Sequence, residues 1–196
     1  MAKKNIAIFA SGNGSNAENF FEYFRDHPSI NICCLLSNNK NAFALTRAKN
    51  NNIPSFCFNR EEFQEGTQVL KYLEDRDVDY IVLAGFMWLI PKYLIHAFPD
   101  RIVNIHPALL PKFGGKGMYG HHVHEAVLEN REKESGITIH FVNEVYDDGK
   151  IIFQAKCEVL PHDDPDTLAG RIHELEYKYY PWVVQSLVSG EDLPVQ

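Results

Sequence analysis

The chain has 196 residues, of which 45% are hydrophobic and 23% are charged, a balance typical of one soluble globular domain. Its net charge of −7 and pI near 5.7 exclude a general electrostatic attraction to nucleic acid or to anionic membranes. No uncharged apolar run approaches the roughly 18 residues of a membrane span, and the first residues show no signal-peptide pattern. We therefore expect one cytoplasmic domain over residues 1–196 that contacts neither membranes nor nucleic acid.

Apolar runs of strand length alternate with helix-like segments through the first half of the chain. This alternation is typical of a parallel α/β sheet, in which ligands bind at the carboxyl ends of the strands. The predicted strands cover about 5–10, 31–36, 54–58 and 79–85, and the predicted helices cover about 16–26, 41–51, 61–75 and 91–97.

The pattern changes in the second half of the chain. A strand is predicted at 101–106, a Gly-rich segment at 114–120, a helix at 121–131, two strands at 136–142 and 150–158, and a final helix at 165–189. A short connector joins the last two strands, so we expect them to pair antiparallel. The fold class is therefore α/β and Rossmann-like, with a mostly parallel central sheet and an antiparallel C-terminal strand pair.

The cysteines of the chain have no Cys-x-x-Cys spacing and lie in apolar, strand-like surroundings. This pattern favours buried reduced thiols over disulfides or a zinc site. The residues concerned are Cys33, Cys34, Cys57 and Cys157.

The first strand leads into Ser11-Gly12-Asn13-Gly14-Ser15-Asn16 and then a helix, the usual construction of a backbone cradle for phosphate. Gly12, Gly14 and Ala17 also satisfy the dinucleotide fingerprint, but no acidic residue closes the second strand at 35–39. The loop therefore favours a phosphate over a dinucleotide, and a tight turn without a ligand is the alternative.

Asn104 and His106 lie on one face of a strand, about 6.5–7 Å apart, where Pro107 ends the strand. A core histidine and a strand-end cap would give the same pattern, so catalysis requires a carboxylate partner. Glu144, Asp147 and Asp148 follow a later strand, and their spacing does not choose among them.

Two further groups of residues allow more than one interpretation. His121, His122 and His124 would form a metal cluster with His106, but no Cys or acidic residue supports them at a ligand spacing, so surface or hydrogen-bonding histidines are favoured. The apolar cluster 86–91 would line a pocket for a flat aromatic ligand or pack in the core.

These motifs, taken in order, resemble the phosphoribosylglycinamide formyltransferase family of folate-dependent enzymes over nearly the whole chain. The resemblance rests on the phosphate loop 11–16, Leu83-Ala84-Gly85-Phe86-Met87, Asn104-Ile105-His106-Pro107 with Leu109-Leu110-Pro111, and His140-Phe141-Val142. It implies the three-layer formyltransferase fold, the catalytic residues Asn104, His106 and Asp147, and a cis Leu110-Pro111 peptide.

The resemblance also implies two binding sites. Glycinamide ribonucleotide would contact Gly14, Ser15, Asn16, His173 and Glu176. The folate would contact Arg60, Met87, Trp88, Leu89, Ile90, Asn143, Glu144, Val145 and Tyr146. The chain departs from the family pattern at Trp88, Asp148, Lys150 and the longer segment 113–120.

The implied reaction moves a formyl group from the cosubstrate 10-formyltetrahydrofolate to the ribonucleotide amine, a step of purine (IMP) synthesis, without a metal. A protonated His106, its pKa raised by Asp147, would stabilise the oxyanion together with the Asn104 amide. The chain length and acidic charge argue against a 10-formyltetrahydrofolate hydrolase, with its extra N-terminal domain, and against a methionyl-tRNA formyltransferase. A noncatalytic nucleotide-binding module is the alternative from another class, and either a monomer or a homodimer is compatible with the sequence.

Overall fold

The computed structural model describes residues 3–193. The strands of this part are β1 (Lys4–Phe9), β2 (Ile30–Ser37), β3 (Ser55–Cys57), β4 (Val78–Leu83), β5 (Ile102–His106), β6 (Glu134–Phe141) and β7 (Ile151–Glu158). The helices are α1 (Ser15–Tyr23), α2 (Phe43–Asn50), α3 (Arg60–Glu65), α4 (Thr67–Glu74), α5 (Lys92–Ala97), α6 (His121–Glu129) and α7 (Pro165–Ser189).

The strands form one sheet in the order β3-β2-β1-β4-β5-β6-β7. Neighbouring strands from β3 to β5 are parallel, and β6 is antiparallel to both β5 and β7. The predicted α/β fold and antiparallel C-terminal pair are therefore confirmed, and the β5–β6 pairing is an addition. The chain direction across the sheet reverses between β1 and β4, which is where such sheets bind ligands.

Alternating strand residues pack into two apolar cores, one on each face of the sheet. Ile6 and Ile8 face the core covered by α1, α2, α6 and α7, whereas Ala7 and Phe9 face the core covered by α3, α4 and α5. Fully buried helix residues fill both, including Phe20, Ala44, Ile172, Phe63, Leu73 and Leu94. Three layers result, helices on each side of a central sheet.

The helix predicted at 61–75 is two helices, because Gly66 interrupts it. Gly66 has φ 84°, ends α3 with a bond to the Glu62 carbonyl, and precedes α4. A side chain at this position would also meet the Tyr93 ring, since an ideal Cβ would lie 2.7 Å from it. The glycine was therefore a stop signal inside an otherwise helical pattern.

The final helix α7 begins as predicted. Asp164 and Thr167 form a reciprocal capping box, and Pro165 occupies the first turn. Leu168 and Ile172 are fully buried on one face of the helix. No helix within residues 3–193 is long and apolar enough to cross a membrane.

The four cysteine thiols are free, as predicted, but not all of them are buried. Cys34 is buried, and Cys33 and Cys157 are partly exposed. The prediction is wrong for Cys57, which is exposed because it lies on β3, the three-residue strand at the sheet edge.

Candidate active site

A cleft of about 540 Å³ opens at the carboxyl ends of β1, β4 and β5. Its position at the reversal of strand order is the one expected for a ligand site in this architecture. The lining comprises residues 12–16, 83–90, 104–107, 115–120 and 145–147, with His124, His140, Val142, His173 and Glu176.

The loop after β1 presents the start of α1 to this cleft. Gly14 has φ 75°, and a Cβ there would lie 2.5 Å from Ala44 Cβ, so the tight turn requires glycine. No side chain of the described residues caps α1, and its first intrahelical donor is the Glu18 amide. The amides of the first turn are therefore available to an anion, as the predicted phosphate cradle requires.

Two loops at the reversal point are tied together by hydrogen bonds. The Ser11 amide donates to Gly85 O (3.1 Å), and the Met87 amide donates to Ser11 Oγ (3.0 Å). Arg47 donates to Asn13 O at 3.0 Å and forms an ion pair with Glu18. These contacts fix the anion loop relative to the apolar loop after β4.

Asn104 and His106 lie at the end of β5, and Asp147 in the turn after β6 joins them. His106 Nδ1 lies 3.5 Å from Asp147 Oδ2, and Asn104 Nδ2 donates to Asp147 Oδ1 at 3.4 Å. Of the three candidate carboxylates, Asp147 is thus the one beside the pair. Glu144 instead pairs with Lys92 (2.7 Å), and Asp148 accepts from the Asn143 amide (3.3 Å).

The pKa of His106 lies below its ordinary value. Burial disfavours the imidazolium, and this outweighs the charge of Asp147 and the bond to the Phe113 carbonyl, while His140 adds repulsion. The expected raised pKa of His106 is therefore wrong, because the imidazole is only 3% exposed. With its pKa lowered, His106 is uncharged at neutral pH.

Asp147 shows the opposite balance. Burial raises the pKa of its carboxyl, but the nearby imidazoles of His140 and His106 and the Gly115 amide together lower it below the ordinary value. The Gly115 amide donates to Asp147 Oδ2 at 3.0 Å. The carboxyl is therefore ionised at neutral pH and holds a negative charge beside the imidazole.

His140 belongs to the same cluster and was not predicted. It pairs with Asn104 in the β5–β6 ladder, and its Nδ1 donates to Phe141 O at 2.8 Å. Nε2 of His140 lies 3.2 Å from Asn104 Nδ2 and 3.6 Å from Asp147 Oδ1. The contact with His140 and the hydrogen bond to Asp147 orient the Asn104 amide. Only the register of β5 against β6 shows that His140 lies beside Asn104.

The predicted ribonucleotide residues gather at the other end of the cleft. Asn16 Nδ2 donates to Glu176 Oε2 at 2.9 Å, and Gly14, Ser15 and His173 also line the wall. Glu176 is 6% exposed, and burial raises the pKa of its carboxyl against the opposing effects of Asn16 and His173. A buried carboxylate beside an anion loop suits hydroxyl donors of a ligand.

Comparison with known proteins gives the same family as the sequence motifs. The formyl transferase family matches residues 4–184 of the chain. The chain belongs to the formyl transferase family.

Among relatives, the chain is 43% identical over 192 residues to phosphoribosylglycinamide formyltransferase, chloroplastic, of Arabidopsis thaliana. This match covers 94% of the chain and 65% of that relative, so the chain spans less than two thirds of its length. The phosphoribosylglycinamide formyltransferase of Haemophilus influenzae is 36% identical, with 95% of this chain and 88% of that protein covered. The solved structure of the Anaplasma phagocytophilum enzyme has a TM-score of 0.87 at 34% identity and covers 96% of this chain and 88% of its own.

The folate-side residues predicted from the formyl transferase resemblance fall into two groups. Six of them line the cleft: Met87, Trp88, Leu89, Ile90, Val145 and Tyr146. Arg60, Asn143 and Glu144 do not line it. The Arg60 guanidinium instead lies 5.5 Å from the centre of the Trp88 ring.

The apolar cluster 86–91 after β4 contributes both to the cleft lining and to the core, the two alternatives considered for it. Phe86 and Trp88 line the cleft and also pack on Phe63 of the core, with ring centres 5.5 and 5.7 Å away. The apolar wall is thus held rigidly by the core beneath it.

A buried hydroxyl anchors the segment that follows His106. Thr138 Oγ1 donates to Ala108 O (2.6 Å) and accepts from the Leu110 amide (3.0 Å) and from Gln154 Nε2 (2.8 Å). The predicted cis Leu110-Pro111 peptide is confirmed in the same segment. The hydroxyl thereby pairs a buried carbonyl and a buried amide of the backbone just beyond the end of β5.

The histidines of α6 lie in two different environments, two exposed and one buried. His121 and His122 are exposed and lie near carboxylates of Glu125 and Asp166, as surface histidines. His124 is buried, and its Nδ1 has no hydrogen-bond partner among residues 3–193, so the surface or hydrogen-bonding interpretation is wrong for it. Within the same residues, no group of three His, Cys, Asp or Glu side chains is arranged to hold a metal ion.

Proposed function

We propose that this protein transfers a formyl group from 10-formyltetrahydrofolate to the primary amine of 5-phosphoribosylglycinamide, a step of purine synthesis. The observation that carries the proposal is that one cleft joins an uncapped anion loop, the cluster of Asn104, His106 and Asp147, and an apolar wall. The names of the relatives from Arabidopsis and Haemophilus agree with this activity.

The ribonucleotide fits the polar end of the cleft. Its phosphate would bind the amides at Gly14, Ser15 and Asn16, where the helix dipole of α1 favours an anion. The ribose hydroxyls would then reach Glu176 and His173. This placement directs the glycine amine toward the end of β5, where His106 lies.

The folate fits the apolar end. Met87, Trp88, Leu89 and Ile90 offer a wall for a flat ring system, and Val145 and Tyr146 border it from the turn after β6. Arg60, Asn143 and Glu144 lie beyond the cleft lining and would meet the part of the folate that extends outside it. The formyl group would then lie between the ribonucleotide amine and His106.

The chemistry follows from groups already in place. Attack of the amine on the formyl carbon forms a C–N bond and a tetrahedral oxyanion, and cleavage of the bond to folate nitrogen releases tetrahydrofolate. The amide of Asn104 and the Nε2–H of His106, once the oxyanion displaces the Phe113 carbonyl from it, would donate to the oxyanion. With Nε2 protonated, neutral His106 would accept at Nδ1 the proton that the amine loses, Asp147 beside Nδ1 would stabilise the resulting imidazolium, and the departing nitrogen would take the proton.

The partners under this proposal are two small molecules, with neither nucleic acid nor a membrane, in a single cytoplasmic domain. Incubating the purified protein with 10-formyltetrahydrofolate, with and without glycinamide ribonucleotide, tests the proposal. Tetrahydrofolate is expected only when the ribonucleotide is present. Release without it would indicate a hydrolase, and no release under either condition would indicate a noncatalytic binding module.

A further inference from the structure

His124 is a buried imidazole in the cleft that the proposed mechanism does not use. It lies in the first turns of α6, lines the cleft, and is only 3% exposed. Its Nδ1 has no hydrogen-bond partner among residues 3–193. Buried polar atoms in folded proteins are nearly always hydrogen-bonded, so an unpaired one that lines a ligand cleft indicates a ligand contact.

The surroundings of His124 keep it uncharged. Burial lowers the pKa of His124, and three further imidazoles, those of His173, His121 and His106, lower it to about 4 in total. A neutral imidazole offers one N–H donor and one nitrogen acceptor. It therefore suits an uncharged polar group better than an anion.

His124 interacts electrostatically with His106 and His173, so it lies near the catalytic cluster and near the proposed ribonucleotide site. His173 lies on α7 one turn before Glu176. Asn16, which donates to Glu176, also has an unpaired buried atom, Oδ1. A ligand that carries hydroxyl and amide groups would satisfy both unpaired atoms.

We propose that His124 is a ribonucleotide-binding residue whose Nδ1 hydrogen-bonds an uncharged polar group in the sugar or glycinamide part of the substrate. The proposal rests on the proposed function and adds a residue to it. The phosphate has its own cradle at the start of α1 and the amine faces His106, so the remaining polar groups are ribose hydroxyls and the glycinamide amide. Both are neutral hydrogen-bonding groups.

Titration calorimetry on three variants tests the contact. His124→Phe keeps a ring but removes the nitrogens, and its Kd for glycinamide ribonucleotide is expected to rise about tenfold. His124→Asn places an amide near the Nδ1 position and should recover most of that loss. His122→Phe is the matched control, because His122 is exposed on the same helix outside the cleft lining, and its Kd should equal that of the wild type.

Two fragments of the ribonucleotide show which of its groups bonds to His124. If His124→Phe also weakens the binding of ribose 5-phosphate, the partner of Nδ1 is a ribose hydroxyl. If only the binding of the whole ribonucleotide is weakened, the partner is the glycinamide. The Kd for inorganic phosphate should be the same in all variants. In steady-state assays, the KM for the ribonucleotide should rise in His124→Phe while kcat and the KM for folate stay near wild type.

Three results would overturn the inference. These are an unchanged ribonucleotide Kd in a folded His124→Phe protein, an equal loss for inorganic phosphate, or buffer-dependent proton uptake on binding that disappears in the variant. The last would show an imidazolium bound to phosphate. A folded wild-type protein that binds no ribonucleotide would refute the proposed function as well, whereas normal turnover with an unaffected variant would refute only this inference.

Discussion

The Nε2–H of His106 donates to the carbonyl oxygen of Phe113 across 2.7 Å. The outer nitrogen of the proposed catalytic imidazole is therefore occupied by the chain's own backbone. Phe113 has φ 57°, and Gly115 beyond it has φ 97° and donates to Asp147. A substrate oxygen that takes this donor must replace the Phe113 carbonyl, so substrate binding and movement of this loop are coupled.

Replacing His106 by alanine should reduce kcat about 100- to 1000-fold, because an oxyanion donor and the proton acceptor are lost together. The ribonucleotide Kd, measured by calorimetry, should stay within about twofold, since the phosphate cradle lies on α1. His96→Ala is the control, because His96 is exposed on α5 outside the cleft lining. Near-native turnover in His106→Ala would remove His106 from the mechanism.

Asp147→Asn preserves shape but removes the negative charge that stabilises the imidazolium. We expect kcat to fall about 100-fold. The acidic limb of the pH–rate profile should also move to lower pH, because loss of the carboxylate lowers the pKa of His106 further and activity requires its neutral form. The control is Asp148→Asn, an exposed neighbour. An unshifted acidic limb with normal kcat would contradict the assignment.

Ser15→Ala combined with Asn16→Ala should weaken ribonucleotide binding about 10- to 100-fold, because hydrogen bonds to a charged group are the stronger ones. The kcat at saturating substrate should change little. Calorimetry with the ribonucleotide and with inorganic phosphate measures the effect. Asn19→Ala serves for comparison, since Asn19 is on the same helix but bonds to Tyr177 O outside the cleft lining. Equal affinities for the double variant and the wild type would refute a contribution of these two side chains to ribonucleotide binding.

Local patterns in the sequence were sufficient to predict the helices and strands and much of the candidate site. Strand-helix alternation gave the parallel sheet, and the position of Asn104 and His106 at a strand end placed them in the cleft. His140 was not predicted, because its contact with Asn104 depends on the long-range register of β5 against β6. The lowered pKa of His106 was not predicted either, because it depends on burial created by tertiary packing.

His124 gives a prediction about acid stability. Its pKa is lowered from 6.5 to about 4 in the folded protein, so between those pH values the unfolded chain binds more protons. The free energy of unfolding should therefore fall as pH drops through this window, with a contribution of about 3 kcal/mol from His124.

Urea unfolding at pH 7 and pH 4 should show a smaller acid loss in His124→Asn than in the wild type. Glu176 acts in the opposite direction, because its raised pKa favours the folded state as pH falls. It is present in both proteins, so the difference between them isolates His124. An identical pH dependence would contradict the buried neutral state.

Thr138→Val replaces a hydroxyl by a methyl of similar size and leaves the Ala108 carbonyl and Leu110 amide without their buried partner. The free energy of unfolding should fall by about 1–3 kcal/mol, the cost of an unsatisfied buried group. Because these bonds fix the segment directly after His106, kcat should fall as well, while ribonucleotide binding at α1 is retained. Thr138→Ser keeps the hydroxyl and should preserve kcat. If valine preserved kcat while serine reduced it, the side-chain methyl rather than the hydrogen bonds would position the catalytic histidine.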